Sequence, residues 1–209
     1  SFYSNFVRPA LFSLPPEKSQ HLIELLLRQN SVSKAMSKFF SFEDEVLHTE
    51  LAGLKLKNPI GLAAGFDKNI QFLSSMEQLG FGYVTGGTIT KEPRPGNPSP
   101  RLLRIKEDKT LINSMGFPGE GLQVAVKRLQ NLPINPTAIR VVSVSGTTIE
   151  DIVACQTTIQ TLCSAIEVNI SSPNTAGLRI FQKIFLSEFQ AYYLKHLYKC
   201  QNHLQNKES

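Results

Sequence analysis

The runs Pro59-Ile60-Gly61-Leu62-Ala63-Ala64-Gly65 and Tyr83-Val84-Thr85-Gly86-Gly87-Thr88, with one helical segment between them, decide the fold. The first run is continuously apolar, as a buried strand reads, and it ends in residues small enough for a flat ligand to lie against the backbone. Between the runs, Ile70, Leu73, Met76 and Leu79 recur at helical spacing as far as Gly80, a helix-stopping residue. Strand, helix, strand in this order is a βαβ unit, and the chain repeats it. A helix through Leu122, Ala125, Val126 and Leu129 leads to a third strand over residues 139–146. Another, through Ile152, Ile159 and Leu162, leads to a fourth over residues 165–170. The alternation predicts an α/β fold of parallel strands, and the gathering of polar residues after each strand favours a (β/α)8 TIM barrel over an open sheet. Four such units form only part of a barrel that closes with eight strands.

Outward from this core the pattern changes. Residues 1–43 read as short helices: Phe2, Phe6, Val7, Ala10 and Leu11 share one face, Pro15-Pro16-Glu17 restarts a helix, and Leu22, Ile23, Leu25, Leu26 and Leu27 follow, before a third helix with Met36, Phe39 and Phe40. Helices this apolar either cap a core or lie against a membrane interface or an apolar ligand. Residues 51–57 alternate like one small exposed strand. Residues 91–118 form a long excursion rich in Pro and Gly, a length that in a compact domain marks a functional loop. After Arg179, residues 183–197 can form an amphipathic helix, beyond which the composition drifts to Gln, Asn, Lys and His.

Composition narrows the function. With 41% hydrophobic and 19% charged residues over 209 positions the chain reads as a globular protein able to bury a core. A net charge of +5 suits an anionic ligand or acidic surface, but the basic residues are scattered, so nucleic-acid binding is not indicated. Cys155, Cys163 and Cys200 make an odd count without metal-type spacing, which favours a reducing compartment over a disulfide framework. No run is long and apolar enough to cross a bilayer, and the first residues show no secretion signal.

The residues with chemical potential stand at strand ends: Lys68, Thr88, Asn113 in the excursion, Ser143, and the run Asn169-Ile170-Ser171-Ser172-Pro173-Asn174-Thr175-Ala176-Gly177-Leu178. Taken alone, that last run is either a polar turn with Ser and Asn as caps or a ligand loop at the carboxyl end of a strand. Likewise Lys68 alone can be a solvated helix-start lysine, Asn113 a turn former and Asn169 a strand cap. Together, one cation, several amides and a hydroxyl suit an anionic, amide-rich substrate beside a flat cofactor. No Cys or His stands among them, which argues against metal catalysis.

At these residues the sequence resembles the quinone-dependent (class 2) dihydroorotate dehydrogenases. The matching stretches are Phe2-Tyr3, Arg8-Pro9-Ala10-Leu11-Phe12, Pro16-Glu17 before His21, Asn58-Pro59 to Gly65-Phe66-Asp67-Lys68, Gly96-Asn97-Pro98-Ser99-Pro100-Arg101, Ile112-Asn113-Ser114-Met115-Gly116-Phe117, and the run from Asn169 to Leu178. The resemblance implies oxidation of dihydroorotate to orotate in pyrimidine biosynthesis, with FMN as cofactor and a quinone as electron acceptor. By motif match Ser172 is the catalytic base, with Thr175 and Phe117 shaping the proton's exit; Ser rather than Cys at this position favours the quinone class. Lys68, Asn113, Ser114, Met115, Gly116, Phe117, Asn169 and Asn174 would contact the substrate. Ala64, Gly65, Lys68, Thr88, Asn113, Ser143 and Asn169 would border the flavin, although Ser143 stands where many family members carry an asparagine of longer reach. Leu11, His21 and Arg104 would line a quinone tunnel. The N-terminal helices would rest peripherally on a membrane, on the cytoplasmic face in a bacterium.

The expected organisation is therefore a helical quinone-tunnel region over 1–43, the first half of an FMN-binding barrel over 44–180, and a divergent tail over 181–209. The resemblance ends near Arg179, and the late-strand loops that hold the FMN phosphate in such barrels have no counterpart in the sequence. Two expectations follow: a segment of an enzyme whose barrel is completed elsewhere, by a longer chain or a second polypeptide, or a truncated and catalytically silent remnant.

Overall fold

The computed structural model describes residues 3–175 and Leu178. A π-helical turn, Tyr3–Val7, runs into α1 (Arg8–Phe12), and a proline pair separates it from α2 (Pro16–Leu27). Pro16 occupies the first helical position, where its missing N–H is not needed. α3 (Asn30–Phe40) follows. Leu27 enters the protein core with Ile23 packed against it. Tyr3, Phe6, Leu22, Leu25, Leu26, Phe39 and Phe40 face outward, Phe39 with 86% of its surface exposed.

The single strand expected over 51–57 is a hairpin. β1 (Thr49–Leu51) pairs antiparallel with β2 (Leu54–Leu56), because Ala52 and Gly53 both adopt positive φ, the conformation a two-residue hairpin turn requires. β3 (Gly61–Asp67) then leads to α4 (Leu73–Glu77) and β4 (Tyr83–Ile89). α4 is shorter than the 70–79 periodicity predicts. Asp67 accepts the backbone N–H groups of Gln71 (2.8 Å) and Phe72 (3.0 Å), and this carboxylate-held turn delays the helix. Ile70, with φ of 57°, and Leu79 flank the helix yet still pack into the core.

The excursion over 91–118 is also more ordered than a loop. It contains the antiparallel hairpin β5 (Leu102–Ile105) and β6 (Thr110–Asn113), with Asn113 as the last strand residue. Backbone bonds between Arg94 and Gly119, from Asn97 N–H to Met115 and from Ser114 N–H to Arg101 close its base. α5 (Leu122–Gln130) follows, then β7 (Ile139–Val144), α6 (Ile149–Ile159) and β8 (Ala165–Val168). The hydroxyl of Thr148 caps α6 by accepting the Asp151 N–H at 3.2 Å.

β3, β4, β7 and β8 form a parallel sheet in that order. Val84, Val142 and Val144 meet Leu73, Met76, Ile152, Cys155 and Ile159 in one core with the covering helices. Strand alternation sends Ser143 to the opposite face of β7. β4 is buried along nearly its whole length, whereas Ala63 and Gly65 of β3 and Glu167 of β8 are exposed. This is the sequential order of the first four βα units of a TIM barrel, preceded by helices. An ion pair from Arg140 Nε to Glu77 Oε1 (2.7 Å), buried on both sides, ties α4 to β7. The expected helix over 183–197 and the tail over 181–209 lie outside the described residues.

Candidate functional site

The carboxyl ends of the sheet strands and the base of the β5–β6 hairpin enclose a cavity of about 380 Å³. β3 and the turn after it contribute Ala64, Gly65 and Lys68; the end of β4 contributes Thr88. Asn113 ends the hairpin, Met115, Gly116 and Phe117 come from the segment after it, and Asn169, Ser172 and Asn174 from the segment after β8. Gly65 has φ of 102°, and a Cβ added there would meet nothing within 4 Å, so this backbone presents an open flat face to the cavity.

Lys68 carries the cavity's positive charge. Burial pulls its pKa below the ordinary lysine value, opposed by the negative charges of Glu24 and Glu17. No hydrogen bond or ion pair occupies its ammonium among the described residues. An anionic ligand group would supply the missing partner.

The amides are held by specific bonds. Asn169 donates from Nδ2 to Thr88 Oγ1 at 3.1 Å, and its Oδ1 accepts from Ser171. Thr88 Oγ1 lies 3.0 Å from Ser143 Oγ, which donates to Glu167 Oε1 at 2.8 Å. With the Ser143 proton directed to Glu167, Thr88 is the donor to Ser143 and the acceptor for Asn169. Ser143 is fully buried, bonded to Thr88 and Glu167, and is not among the residues lining the cavity. It is linked to the cavity through Thr88.

Ser172 Oγ accepts the Asn174 N–H at 3.4 Å, and Asn174 Nδ2 donates to the Asn113 carbonyl at 3.1 Å. Thr175 is buried beside this loop, with an Oγ1 that has no partner among the described residues. Ser114 and Thr175 support the walls rather than line them. Four cavity residues were not singled out by sequence: Gln20, for which no motif gave a signal, and Leu102, Leu111 and Pro118, hidden in what read as a loop. Among the described residues no cluster of His, Cys, Asp and Glu could hold a metal ion.

A second cavity of about 760 Å³ adjoins the first and shares Gln20, Ala64, Gly65, Leu102 and Leu111 with it. Its walls are mainly apolar and come from the N-terminal helices and the β5–β6 hairpin. Leu11 and Arg104 meet there, the Arg104 guanidinium stacking over the Phe12 ring at 4.0 Å and donating to the Leu14 carbonyl at 3.3 Å. His21 is not among the residues lining the apolar cavity: its side chain is 64% exposed and 3.9 Å from Glu24. It lines a charged cleft with Glu17, Arg94 and Arg101 that adjoins the polar cavity through Gln20, Lys68, Met115 and Pro118.

Residues 46–202 match the family model described as dihydroorotate dehydrogenase. The chain belongs to the dihydroorotate dehydrogenase family. Among curated relatives, the dihydroorotate dehydrogenase (quinone) of Psychrobacter sp. (strain PRwf-1) is 40% identical over 182 residues, which cover 84% of this chain and 52% of the relative. Its counterpart in Christiangramia forsetii is 38% identical over 189 residues, covering 86% and 55%. Among solved structures, ligand-free DHODH from Eimeria tenella aligns with a TM-score of 0.67 at 30% identity, covering 80% of this chain and 49% of that one. The same enzyme in complex with ferulenol gives 0.65 at 31%, covering 80% and 47%. The chain spans about half the length of the curated relatives it matches.

Proposed function

We propose that this chain forms the substrate-oxidising side of a quinone-dependent dihydroorotate dehydrogenase, converting dihydroorotate to orotate in pyrimidine biosynthesis. One observation carries the reading: the polar cavity that gathers Lys68, Asn113, Asn169, Asn174 and Ser172 shares the open Gly65 wall with an apolar cavity. Lys68, half-buried and without a partner among the described residues, holds the substrate carboxylate, and the three asparagine amides bond the ring's amide edges. Ser172 Oγ takes the proton from C5. A serine needs help for this at neutral pH, and the unpartnered Thr175 Oγ1 next to it supports a route for the proton outward.

The residues present fit the ring of FMN: Gly65 offers a face that no side chain fills, bordered by Ala64, Lys68, Thr88, Asn113 and Asn169. When bound, FMN accepts the hydride from dihydroorotate and delivers two electrons to a quinone. Leu11 and Arg104 then belong to the quinone's apolar chamber. The exposed apolar side chains of the N-terminal helices give a peripheral contact with the membrane from which a quinone arrives. Among the described residues no helix is long and apolar enough to cross a membrane. The remaining barrel strands and the phosphate-binding loops are supplied from beyond the described half-barrel, on the same polypeptide or a second one.

The test is to purify the chain alone and together with a polypeptide matching the other half of a curated relative, and to record flavin absorbance and dihydroorotate-dependent reduction of a short-chain quinone. Stoichiometric yellow protein that is bleached by dihydroorotate is the expected result for the completed barrel. Colourless protein in both preparations, with no affinity for orotate, would sink the assignment and leave a catalytically silent family remnant.

A further inference from the structure

Asn97 lies in the stretch Gly96-Asn97-Pro98, where an asparagine ordinarily serves the turn it sits in, bonding backbone one or two residues away. Its side chain does something else. Nδ2 donates to the Ser114 carbonyl at 2.8 Å and to the Asn174 carbonyl at 3.2 Å, partners 17 and 77 positions distant. These carbonyls belong to the two irregular segments that carry the polar side chains of the cavity, residues 113–117 and 169–175. The two segments are also joined directly by the hydrogen bond from Asn174 Nδ2 to the Asn113 carbonyl.

Asn97 is itself held on three sides. Its backbone N–H donates to the Met115 carbonyl at 2.9 Å. Its own carbonyl accepts from Arg101 Nη1 at 3.3 Å, and Arg101 Nε reaches Glu17 of α2 at 2.8 Å. Gly116 closes against it: with φ of 71°, a Cβ at that position would lie 2.6 Å from Asn97 Oδ1. A neutral amide is the group this place requires, because both N–H bonds are directed at carbonyl oxygens and a carboxylate there would face two like dipoles.

We propose that Asn97 is a positioning residue of the substrate site, whose side-chain amide joins the loop carrying Asn113 to the loop carrying Ser172 and Asn174 and sets the spacing between them. Its consequence for substrate rests on the dihydroorotate reading; the clamp itself does not. Asn97 touches neither cavity, so it acts through the segments it joins.

The experiment compares the full chain with Asn97→Asp, equal in size but without the two N–H donors, and with Asn97→Gln, which keeps the amide one methylene further out. Amide hydrogen exchange is followed by mass spectrometry, and orotate binding by calorimetry. The expected result is exchange faster by on the order of tenfold in both segments together, with β7 and α6 unchanged, and orotate affinity lower by a similar factor in Asn97→Asp. Asn97→Gln, expected to show the same pattern more weakly, decides the matter if the Asp variant does not fold. Unchanged exchange in either segment overturns the clamp, and unchanged orotate affinity overturns its positioning role. If orotate fails to bind even the unsubstituted chain, the dihydroorotate reading falls, while the exchange data still decide whether Asn97 joins the loops.

Discussion

Ser172 and Lys68 illustrate how one cavity sets opposite demands on its side chains. Ser172 is half-buried, and among the described residues its oxygen accepts one long bond, from the Asn174 N–H, which leaves its hydroxyl proton uncommitted. In a barrel that carries flavin, Ser172→Ala should slow flavin reduction by dihydroorotate by about two to four orders of magnitude, the usual share of a general base, while flavin absorbance stays unchanged. Stopped-flow at the flavin band reads this directly, and an unaltered rate removes Ser172 from the chemistry. Lys68 has a pH signature independent of catalysis. Burial disfavours its charged form, so between its lowered folded pKa and the ordinary 10.5 the unfolded chain binds more protons than the folded one. Stability contributed by Lys68 therefore rises with pH across that window. Urea unfolding of the chain beside Lys68→Met should show this rise in the former and its absence in the latter. The cysteines behave more simply: burial pushes the Cys155 thiol up to about 12 and Cys163 to about 11, as for thiols that pack rather than react.

Among elements, what sequence revealed depended on whether local pattern or distant partners set the outcome. The four sheet strands were legible because each is an apolar run with turn residues at its ends. α4 was overextended because the brake on it is a single side chain, Asp67, whose capture of two N–H groups leaves no periodic trace. The β5–β6 hairpin was hidden among Pro and Gly, and its exposed Leu103, Leu111 and Ile112 made no recognisable core pattern. Within the site, Lys68, Asn113, Asn169, Ser172 and Asn174 were found through motifs and do share one cavity. Ser143 and His21 do not line these two cavities: Ser143 is bonded to Thr88 and fully buried, and the His21 side chain is 64% exposed. The Arg140–Glu77 pair gives an element-scale prediction. Glu77→Ala leaves a guanidinium buried between α4 and β7, and unfolding in denaturant should show a loss of about 3–5 kcal/mol.

For the whole molecule, the division into a helical region and a half-barrel carries the prediction. The N-terminal helices contribute Leu11 and Phe12 to the apolar cavity and only Gln20 to the polar one. Deleting residues 1–43 from a completed barrel should abolish most quinone reduction and spare flavin reduction by dihydroorotate. Loss of the first half-reaction instead would contradict the division of labour. A half-barrel also exposes sheet surface that a closed one covers, as Ala63, Gly65 and Glu167 do here. The chain alone is therefore expected to self-associate in sedimentation experiments, and to do so less when the complementary half is added.

The wall at Gly65 has a kinetic corollary. Gly65, unfilled by any side chain, lines two chambers of different chemistry. In a completed barrel that carries flavin, donor and acceptor would then use different chambers, and neither would have to vacate its own for the other. Steady-state rates measured against both should trace parallel lines in double-reciprocal form, the mark of a ping-pong sequence, and orotate should fail to compete with the quinone for free oxidised protein.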